Sequence, residues 1–506
     1  MMIQEPAAAH RELRTVSHDA DLVVVGGGLA GTCCAITAAR HGLRTVLVQD
    51  RPVLGGNASS EVRLWILGAT AHMGNNCRWA RESGVIGELM VENMARNPEG
   101  NALLVDALLL EMCRRETNLT VLLNTAAIDC TKASDDPDRI ASVRAFCSQN
   151  STMYDLRAPL FCDASGDGIL GFRAGAAFRV GAEGRDEFGE KFAPDESYGS
   201  LLGHSIYFYS KDTGRPVAFT PPSFALTPDE VEEKIPRHKG FKVGVDGCRL
   251  WWIEYGGRLD TVHDTETIKW ELWKVAYGVW NYFKNSGKFP EARNLTLEWI
   301  GHVPGKRESR RFEGDVWVTQ HDFVEQRHHD DAVSYGGWAI DLHPADGVYS
   351  PLHGCTQWHT RGVYTIPYRA MYSRNIKNLF LAGRVISASH VAFGSTRVMA
   401  TCSLGGQAVA VAAAICKQHG VLPRDVASTP HIGQLQRDLI RTGQHIPGVA
   451  LRDDEDLARH ASLTASSSLR LSGFRPGGTT QRLHKSWAQM VPLTPGRCPA
   501  FTLTLV

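Results

Sequence analysis

The segment at positions 21–31, DLVVVGGGLAG, constrains the fold of this chain more than any other. The apolar run Leu22–Val25 predicts a short buried strand, and residues 32–41, directly after the glycines, predict a helix. A sharp turn, a close backbone approach to a pyrophosphate and tight helix–strand packing each require a position without a Cβ atom. The helix N-terminus adds free N–H groups and about half a positive charge. The required glycines are Gly26, Gly28 and Gly31, so the segment predicts a dinucleotide-binding unit.

The composition excludes several other classes of protein. The 54 basic and 54 acidic residues balance without long single-sign runs, so charge implies neither a nucleic acid nor an anionic membrane as partner. No apolar stretch is expected to reach the roughly 20 residues that span a bilayer, and the N-terminal residues lack the apolar core of a signal peptide. The 12 cysteines contain no C-x-x-C, which argues against iron–sulfur clusters and redox-active dithiols. We expect reduced thiols, a cytoplasmic location and no metal site.

The second strand, predicted at Thr45–Val48, ends at Gln49 and Asp50, about 20 residues past the glycines. A carboxylate at this point usually holds the ribose hydroxyls, but Gln49 stands where the acid is expected. A neutral hydrogen bond contributes about 1 kcal/mol, against roughly 1.5–3 kcal/mol for a charged one, so the substitution weakens a ribose contact without abolishing it. The loop GGNASSE at 55–61 follows, and its small residues suit close approach by a ligand.

Hydrophobic periodicity and glycine positions predict the remaining elements of the first region and of its return after residue 361. A helix is expected at 102–116 and a strand at 119–123, followed by a hairpin of Ile140–Cys147 and Thr152–Arg157. A strand at 160–162 runs into the turn DASGDG, and NLFLAGR at 378–384 forms a third strand-to-glycine turn. Residues 403–419 predict a helix of small residues, with Gly420 as its stop.

The region 179–361 differs in character, because nine of the 12 tryptophans fall between residues 251 and 358. Residues 266–284 predict a helix with one buried stripe, with Asp264 as its N-cap and Gly287 beyond its end. We expect a discontinuous dinucleotide-binding domain at 19–178 and 362–425, and an inserted substrate domain at 179–361. Residues 451–506 are polar and strand-like at 463–467 and 501–506, and resemble the opening of a carbohydrate-binding β-sandwich.

Three signals in this order, GGGLAG, DASGDG and NLFLAGR before a small-residue helix, resemble flavoproteins with two dinucleotide-binding domains. Over residues 19–425 the chain resembles the FAD-dependent oxidoreductase family, which has a glutathione-reductase-like fold. The GGNASSE loop and the segments at 306–315 and 388–401 fit the same resemblance. It implies an α/β fold in which a Rossmann-like FAD-binding domain carries an inserted α+β substrate domain. It also implies bound FAD, with the isoalloxazine between these two domains.

The resemblance assigns cofactor roles to the glycine turns and their neighbours. The pyrophosphate would lie on Gly26, Gly28, Leu29, Ala30 and Gly31, and the adenosine ribose on Gln49 with Asp50. The ribityl chain and flavin would follow Gly55, Gly56 and Asn57, and the adenosine half would pack on Ala164 and Gly166. Gly383 and Arg384 would lie near the ribitol, where many flavoproteins carry an acid. Because arginine cannot accept a hydrogen bond but can donate two, we assign Arg384 to the pyrophosphate instead.

His390 and Arg397 are the first candidates for the chemistry. His390 is expected in a polar loop at the flavin edge, where a near-neutral pKa would suit removal of a hydroxyl proton. The alternative is a structural histidine bonded to a backbone carbonyl. Arg397 could anchor an anionic substrate or the reduced flavin. The helix that begins near Ser403 could direct its positive end at the N1/C2 region of the flavin.

A second group of candidates comes from the run KRESRRFEGD at 306–315. Arg307 and Arg310 could clamp a substrate, but the acidic residues interleaved with them could equally form an ion-pair network between domains. His72, Asn75 and Asn76 lie in the loop after GGNASSE and could line the pocket, and His302 is a weaker candidate.

The sequence thus predicts flavin-dependent oxidation or reduction of a small polar molecule, with hydride passing between a substrate carbon and flavin N5. The tryptophans and the strand-like tail favour a carbohydrate or polyol. An NAD-dependent dehydrogenase is one alternative, although the second and third glycine turns would then lack a role. A flavoprotein whose FAD is structural or regulatory is another. The electron partner and the oligomeric state are not predicted.

Overall fold

A computed structural model describes residues 7, 10–69, 77, 80–243, 253–467, 482 and 496. The chain divides into two compact units, Met1–Arg452 and Asp453–Val506. The strands are β1 (Arg14–Asp19), β2 (Leu22–Val25), β3 (Thr45–Val48), β4 (Leu119–Leu122), β5 (Thr125–Lys132), β6 (Ile140–Cys147), β7 (Thr152–Arg157), β8 (Leu160–Asp163), β9 (Phe178–Arg179), β10 (His204–Ile206), β11 (Phe208–Asp212), β12 (Ile253–Tyr255), β13 (Leu295–Ile300), β14 (Arg311–Phe312), β15 (Ala332–Gly336), β16 (Ile340–Leu342), β17 (Thr356–Trp358), β18 (Tyr364–Pro367) and β19 (Leu379–Leu381). The helices are α1 (Leu29–Arg40), α2 (Gly84–Arg96), α3 (Ala102–Arg114), α4 (Ile169–Ala174), α5 (Arg185–Phe188), α6 (Pro228–Lys234), α7 (Thr265–Asn285), α8 (Gln320–Val324), α9 (His390–Thr396), α10 (Met399–His419) and α11 (His431–Arg441).

A five-stranded parallel sheet in the order β19-β8-β2-β3-β4 forms the centre of the larger unit. Strands β2, β3 and β8 are buried along their whole length, as expected for a parallel sheet covered on both faces. The three predicted glycine turns follow β2, β8 and β19, which are neighbours in this sheet. Because the carboxyl ends of parallel strands share one edge, the topology brings the three turns together.

Helix α1 connects β2 to β3 in the sequence, and it packs against α10 in the folded protein. A Cβ atom on Gly406 would lie 2.1 Å from the carbonyl oxygen of Ala30, so the two helices approach at backbone distance. Helix α1 begins at Leu29, three residues earlier than predicted, because the last glycine of the motif lies inside its first turn. Helix α10 begins four residues earlier than predicted and ends at His419, with Gly420, whose φ is +67°, as its C-cap, as predicted.

The expectation that no apolar stretch could span a bilayer was wrong for α10, which is long and apolar enough by length and composition. However, 83% of its apolar window is buried inside the protein. Its small residues pack against α1, α11 and β15, which is the arrangement of a core helix.

A second sheet, in the order β1-β7-β6-β5, contains the predicted hairpin of β6 and β7. Strand β1 pairs in parallel with β7 and was not predicted. Its sequence, RTVSHD, has a single aliphatic residue and leaves most side chains exposed, so hydrophobic alternation gave little signal.

The tryptophan-rich region has a hydrophobic core of its own, built from residues between Ile206 and Ile300 together with Val348. Helix α7 covers β10 and β12. The six apolar positions of its predicted stripe are all buried: Ile268, Leu272, Val275, Val279, Trp280 and Phe283. This core is narrower than the predicted domain at 179–361, because many buried side chains between Phe312 and Ile366 belong to the core of the parallel sheet, whereas Val348 does not. The domain boundaries remain a prediction.

The smaller unit is described over residues 453–467, 482 and 496. Within 453–467 the structure has a short 3₁₀ helix at Leu457–Arg459 and no strand, so the strand expected at 463–467 was wrong. The exposed side chain of Leu463 contributes no burial that would hold a strand in place. The strand predicted at 501–506 lies outside the described residues.

Candidate functional site

The three glycine turns line one cleft, with a cavity volume of about 240 Å³, at the carboxyl ends of β2, β8 and β19. Every predicted cofactor residue except Gly31 lines it. The lining residues are Gly26, Gly28, Leu29, Ala30, Gln49, Asp50, Arg51, Gly55, Gly56, Asn57, Leu64, Trp65, Leu67, Ala164, Ser165, Gly166, Asp167, Val303, Pro304, Lys306, Arg307, Gly383, Arg384, Arg397, Val398, Met399 and Cys402.

The glycines of the first turn differ in what surrounds them. Gly26 has a φ of +106°, and a Cβ there would lie 2.4 Å from the carbonyl oxygen of Ala164. A Cβ on Gly31 would lie 1.9 Å from the carbonyl oxygen of Gly26, so this glycine serves helix–strand packing. A Cβ on Gly28 would meet no atom within 4 Å. Gly28 is the N-cap of α1 and lines the cleft, so its open side faces the space that a ligand can occupy.

The side chain of Gln49 forms its hydrogen bonds within the protein. Its Oε1 accepts a 2.7 Å hydrogen bond from the N–H of Gly27, and its Nε2 donates to the carbonyl oxygen of Val53 at 3.2 Å. The residue is 3% exposed, so both ends of the amide are satisfied in a buried position. Asp50, the next residue, lines the cleft with an exposed side chain. Asp50 is therefore the better placed of the two for a ribose contact.

The GGN loop is attached directly to the first turn. The N–H of Gly55 donates to the carbonyl oxygen of Gly27 at 2.8 Å, and Gly28 forms an isolated parallel bridge with Gly55. Asn57 Nδ2 donates at 2.9 Å to the carbonyl oxygen of Lys306. This contact fixes the loop to the segment that carries Lys306 and Arg307 on the opposite wall.

The DASGDG turn is held by its own polar groups. The buried carboxylate of Asp163 accepts from the hydroxyl of Ser165 at 2.7 Å and from the N–H of Gly171 at 2.8 Å. Ser165 Oγ accepts in turn from the N–H groups of Gly168 and Ile169. Ser309 Oγ also donates to the carbonyl oxygen of Gly166 at 2.7 Å, so the wall that Ala164 and Gly166 present to the cleft is held by the turn itself and by the segment that carries Ser309.

Arg384 reaches the same wall from the third turn. Its Nη2 donates to Asp167 Oδ1 at 2.9 Å, and Lys306 forms an ion pair with the other carboxylate oxygen. Burial raises the pKa of Asp167, but the two cations outweigh it and lower that pKa below its ordinary value. The Nε of Arg384 is buried and has no hydrogen-bond partner among the described residues. One donor of Arg384 is thus left for a ligand.

Arg307 and Arg397 also line the cleft, and each is tethered to a buried carboxylate. Arg307 donates to Glu254 Oε1 at 2.8 Å and to the carbonyl oxygen of Gly203 at 3.1 Å. Arg397 donates to Asp341 Oδ2 at 3.1 Å, and its Nε lacks a partner among the described residues. Arg307 thus forms an ion pair with Glu254 rather than with an acidic residue of its own run. Both arginines line the cleft, and a substrate contact remains a prediction for each.

The structure does not place His390 in a polar loop or in the cleft. His390 is the first residue of α9, is 2% exposed, and its Nδ1 lies 2.9 Å from Glu308 Oε1. The main-chain N–H of His390 donates to Glu183 Oε2 at 2.8 Å. The predicted polar loop was wrong, because the polar residues beside His390 belong to the N-terminus of α9, where Ser389 is the N-cap. No histidine occurs among the described residues that line the cleft.

Arg310 and His302 also lie outside the cleft lining. Arg310 is 4% exposed, donates to the carbonyl oxygen of Asp167 at 2.9 Å, and stacks 4.1 Å from the ring centroid of Phe172. His302 is exposed beside Trp273. His72, Asn75 and Asn76 lie outside the described residues.

Several residues that line the cleft carry no recognisable signal in the sequence. Arg51 and Trp65 gave no signal, because one follows a strand end and the other lies in a segment without regular structure. Asp167 lies in the DASGDG turn and Lys306 in the run at 306–315, and only their ion pair in the folded protein distinguishes them from the neighbouring residues.

The family model for FAD dependent oxidoreductases matches residues 21–439, which is most of the chain. The chain belongs to the FAD-dependent oxidoreductase family. Its cofactor is therefore FAD, and it is an enzyme. No curated protein sequence matches the chain.

Solved structures resemble this FAD-dependent oxidoreductase only distantly. A geranylgeranyl bacteriochlorophyll reductase-like protein from Thermoplasma acidophilum is 12% identical with a TM-score of 0.32, covering 85% of each chain. Adenylylsulfate reductase from Archaeoglobus fulgidus is 13% identical with a TM-score of 0.34, over 81% of this chain and 71% of that one. The flavin-dependent brominase Bmp2 is 13% identical with a TM-score of 0.35, over 84% and 87%. Because these TM-scores and identities are so low, the three structures give no information about the substrate of this chain.

The cleft of this FAD-dependent oxidoreductase fits its cofactor on two independent observations. The open side of Gly28 lies at the N-terminus of α1, where free N–H groups favour a phosphate. The unpartnered Nε of Arg384 supplies a buried cationic donor on the facing wall. The backbone cradle and the orphaned donor are both features that a bound pyrophosphate would satisfy.

Proposed function

We propose that this enzyme oxidises or reduces a small polar molecule at the part of the cleft lined by Asn57, Arg307 and Arg397. The observation that carries the proposal is that two tethered arginines share one cleft with three glycine turns. A cleft built only to hold a structural cofactor would have no need for buried guanidinium groups beyond those that face the phosphates.

The glycine turns support one placement of FAD in this cleft. In this proposal Asp50 contacts the adenosine ribose and the pyrophosphate lies over Gly28, with Arg384 on the lining of the same cleft. The ribityl chain and the ring system then follow the GGN loop towards Asn57. An NAD-dependent dehydrogenase would leave the second and third turns without a role, which favours FAD over that alternative.

FAD supplies hydride transfer when it is bound, and the residues of the chain supply position and charge. The hydrogen bond from Asn57 to the carbonyl oxygen of Lys306 holds this side of the cleft, beside the proposed position of the flavin ring, in place. Val398, Met399 and Cys402 line the cleft at the first turns of α10. The positive end of that helix dipole favours negative charge at this end of the cleft.

The residues that line the cleft do not support the predicted carbohydrate or polyol substrate. Trp280 and Trp338, in the tryptophan-rich region, are buried as core residues. Among the described lining residues the one tryptophan is Trp65, which lies outside that region and is 46% exposed. The proposal therefore stops at a small polar substrate.

Two measurements on purified protein test the proposal. The first is the flavin absorbance of the folded protein, with the released cofactor identified after denaturation. The second is anaerobic bleaching of that absorbance by panels of sugars, hydroxy acids and amines, and its reduction by NADH or NADPH. Active, folded protein without flavin absorbance would overturn the proposal. Bound FAD that no member of the panels reduces, and that no substrate reoxidises once reduced, would favour a structural cofactor.

A further inference from the structure

Arg307 and Arg397 are joined behind the cleft by a continuous chain of buried charged groups. Arg307 contacts Glu254 Oε1 at 2.8 Å, and Glu254 Oε2 lies 3.0 Å from His343 Nδ1 as an ion pair. On the other side, His343 Nε2 lies 3.2 Å from Asp341 Oδ2, which accepts from Arg397 at 3.1 Å. One imidazole therefore links the two carboxylates that hold the two arginines of the cleft.

Burying this row of ion pairs costs free energy of folding, because its five side chains are only between 4% and 12% exposed. Taking charges out of water costs several kcal/mol per ion unless each has close partners. Gln357 Nε2 adds a further donor to Asp341 at 3.1 Å. An arrangement of this cost fixes the geometry of the two guanidinium groups, because a rotation of either one takes a charged partner away from a buried carboxylate.

The lining of the cleft also carries an excess of positive charge. Five cationic side chains and two carboxylates form the charged part of the lining. Three of the cations also pair with carboxylates that do not line the cleft, namely Arg51 with Glu61, Arg307 with Glu254 and Arg397 with Asp341. The cations are Arg51, Lys306, Arg307, Arg384 and Arg397, and the carboxylates are Asp50 and Asp167. Arg397 still has an unpartnered buried Nε among the described residues.

We propose that Arg307 and Arg397 together bind the carboxylate group of the substrate, and that His343 is the positioning residue that fixes both arginines through Glu254 and Asp341. This inference rests on the proposed function, since it names the class of small polar molecule as a carboxylic acid. Guanidinium forks match the planar, two-oxygen geometry of a carboxylate better than that of an uncharged hydroxyl.

Calorimetric titration of the FAD-loaded enzyme tests the ligand class without any variant. The probes are glycolate, lactate and benzoate, each paired with its amide (glycolamide, lactamide and benzamide), and inorganic phosphate. We expect saturable binding of at least one carboxylate and an affinity at least about tenfold weaker for its amide. Equal affinity for acid and amide, tighter binding of phosphate, or no binding by the whole panel would overturn the inference. Failure of FAD to bind would instead overturn the proposed function.

Variants test the two arginines and the positioning role. Arg397→Gln and Arg307→Gln should weaken carboxylate affinity about tenfold or more, and Arg397→Lys, which keeps the charge but loses the fork, should fall between. Arg258→Gln is the matched control, because Arg258 pairs with Asp346 in an exposed position and does not line the cleft.

His343→Gln should raise the carboxylate Kd about tenfold while the FAD stoichiometry and the weak affinity for the amides stay unchanged. A merely structural role for His343 would lower the melting temperature and leave the carboxylate Kd as in the unmodified enzyme, and that result would overturn the assignment. If His343→Gln does not fold, the acid–amide comparison and Arg397→Lys still decide the proposal.

Discussion

The side-chain carbonyl of Gln49 accepts a 2.7 Å hydrogen bond from the main-chain N–H of Gly27. The glutamine thereby supports the glycine turn from the strand end at which a ribose-binding carboxylate is usual. Its amide group also reaches the carbonyl oxygen of Val53, so it joins the first turn to the loop that leads to Gly55. Gln49 acts on the shape of the cleft, and Asp50 is left to act on the ligand.

Gln49→Leu should destabilise the apoprotein. The substitution leaves the N–H of Gly27 without its acceptor in a buried position, which costs about 1–3 kcal/mol. Urea unfolding of the FAD-free protein measures this difference in the free energy of unfolding.

Asp50→Asn is the matched control for that measurement. Its side chain is exposed, so we expect the unfolding free energy of the apoprotein to change little, while the Kd for FAD rises several-fold. The opposite pattern, in which Gln49→Leu weakens FAD binding with no loss of apoprotein stability, would assign the ribose contact to Gln49.

Gly28→Ala and Gly31→Ala should separate cofactor binding from folding. A Cβ on Gly28 has no neighbour within 4 Å and its φ is −64°, so alanine should fold normally and project into the space of the pyrophosphate. A Cβ on Gly31 would lie 1.9 Å from a backbone carbonyl, so that variant should lose stability. Flavin content and thermal unfolding of the FAD-free proteins measure the two effects. Stable, flavin-free Gly31→Ala would contradict this division.

The local elements of the parallel sheet were predictable from sequence because each has a strong periodic or glycine signal. The hairpin of β6 and β7 and the stripe of α7 were predicted correctly from apolar spacing. Strand β1 was missed because its pairing with β7 is set by a partner more than 130 residues away, and its own sequence is polar. The strand expected at 463–467 was wrong because alternation without burial does not hold a strand.

The site was predictable only where the backbone itself forms it. The three glycine turns meet because parallel strands place their carboxyl ends together, and that rule applies to any sequence with this strand order. The partners of long side chains follow no such rule. His390 meets Glu308, and Lys306 meets Asp167, through contacts 82 and 139 residues apart in the chain. Such pairs depend on the packing of the whole domain.

His390→Ala should affect stability rather than flavin reduction. The pKa of Glu308 is raised by burial but lowered overall, with His390 as the main opposing group. Removal of the imidazole leaves that buried carboxylate with Arg311 at 3.5 Å and the N–H of Leu202, so we expect a loss of about 1–3 kcal/mol. Urea unfolding and the rate of anaerobic flavin reduction are the two readouts. A slower reduction with unchanged stability would restore the predicted catalytic role.

The stability of the enzyme should fall as the pH rises through the neutral range, and His343 should be one source of that fall. Burial lowers the pKa of His343, but Glu254 and Asp341 outweigh it and raise that pKa above the ordinary value of 6.5. The folded protein therefore holds a proton that the unfolded chain has lost. The stabilisation is complete below pH 6.5 and disappears as the pH passes the raised pKa.

Urea unfolding of the apoprotein between about pH 6 and 9 measures this effect, with a limiting slope near −1.4 kcal/mol per pH unit for one proton. His343→Gln should reduce that slope in this range. His204 is the matched comparison of opposite sign, since burial, with the charge of Lys306, lowers its pKa to about 3. His204→Gln should leave the slope above pH 6.5 intact and, when the unfolding series is extended below pH 6.5, flatten the loss of stability in acid. A neutral-range slope that survives His343→Gln unchanged would mean that the imidazole between Glu254 and Asp341 is not charged in the folded protein.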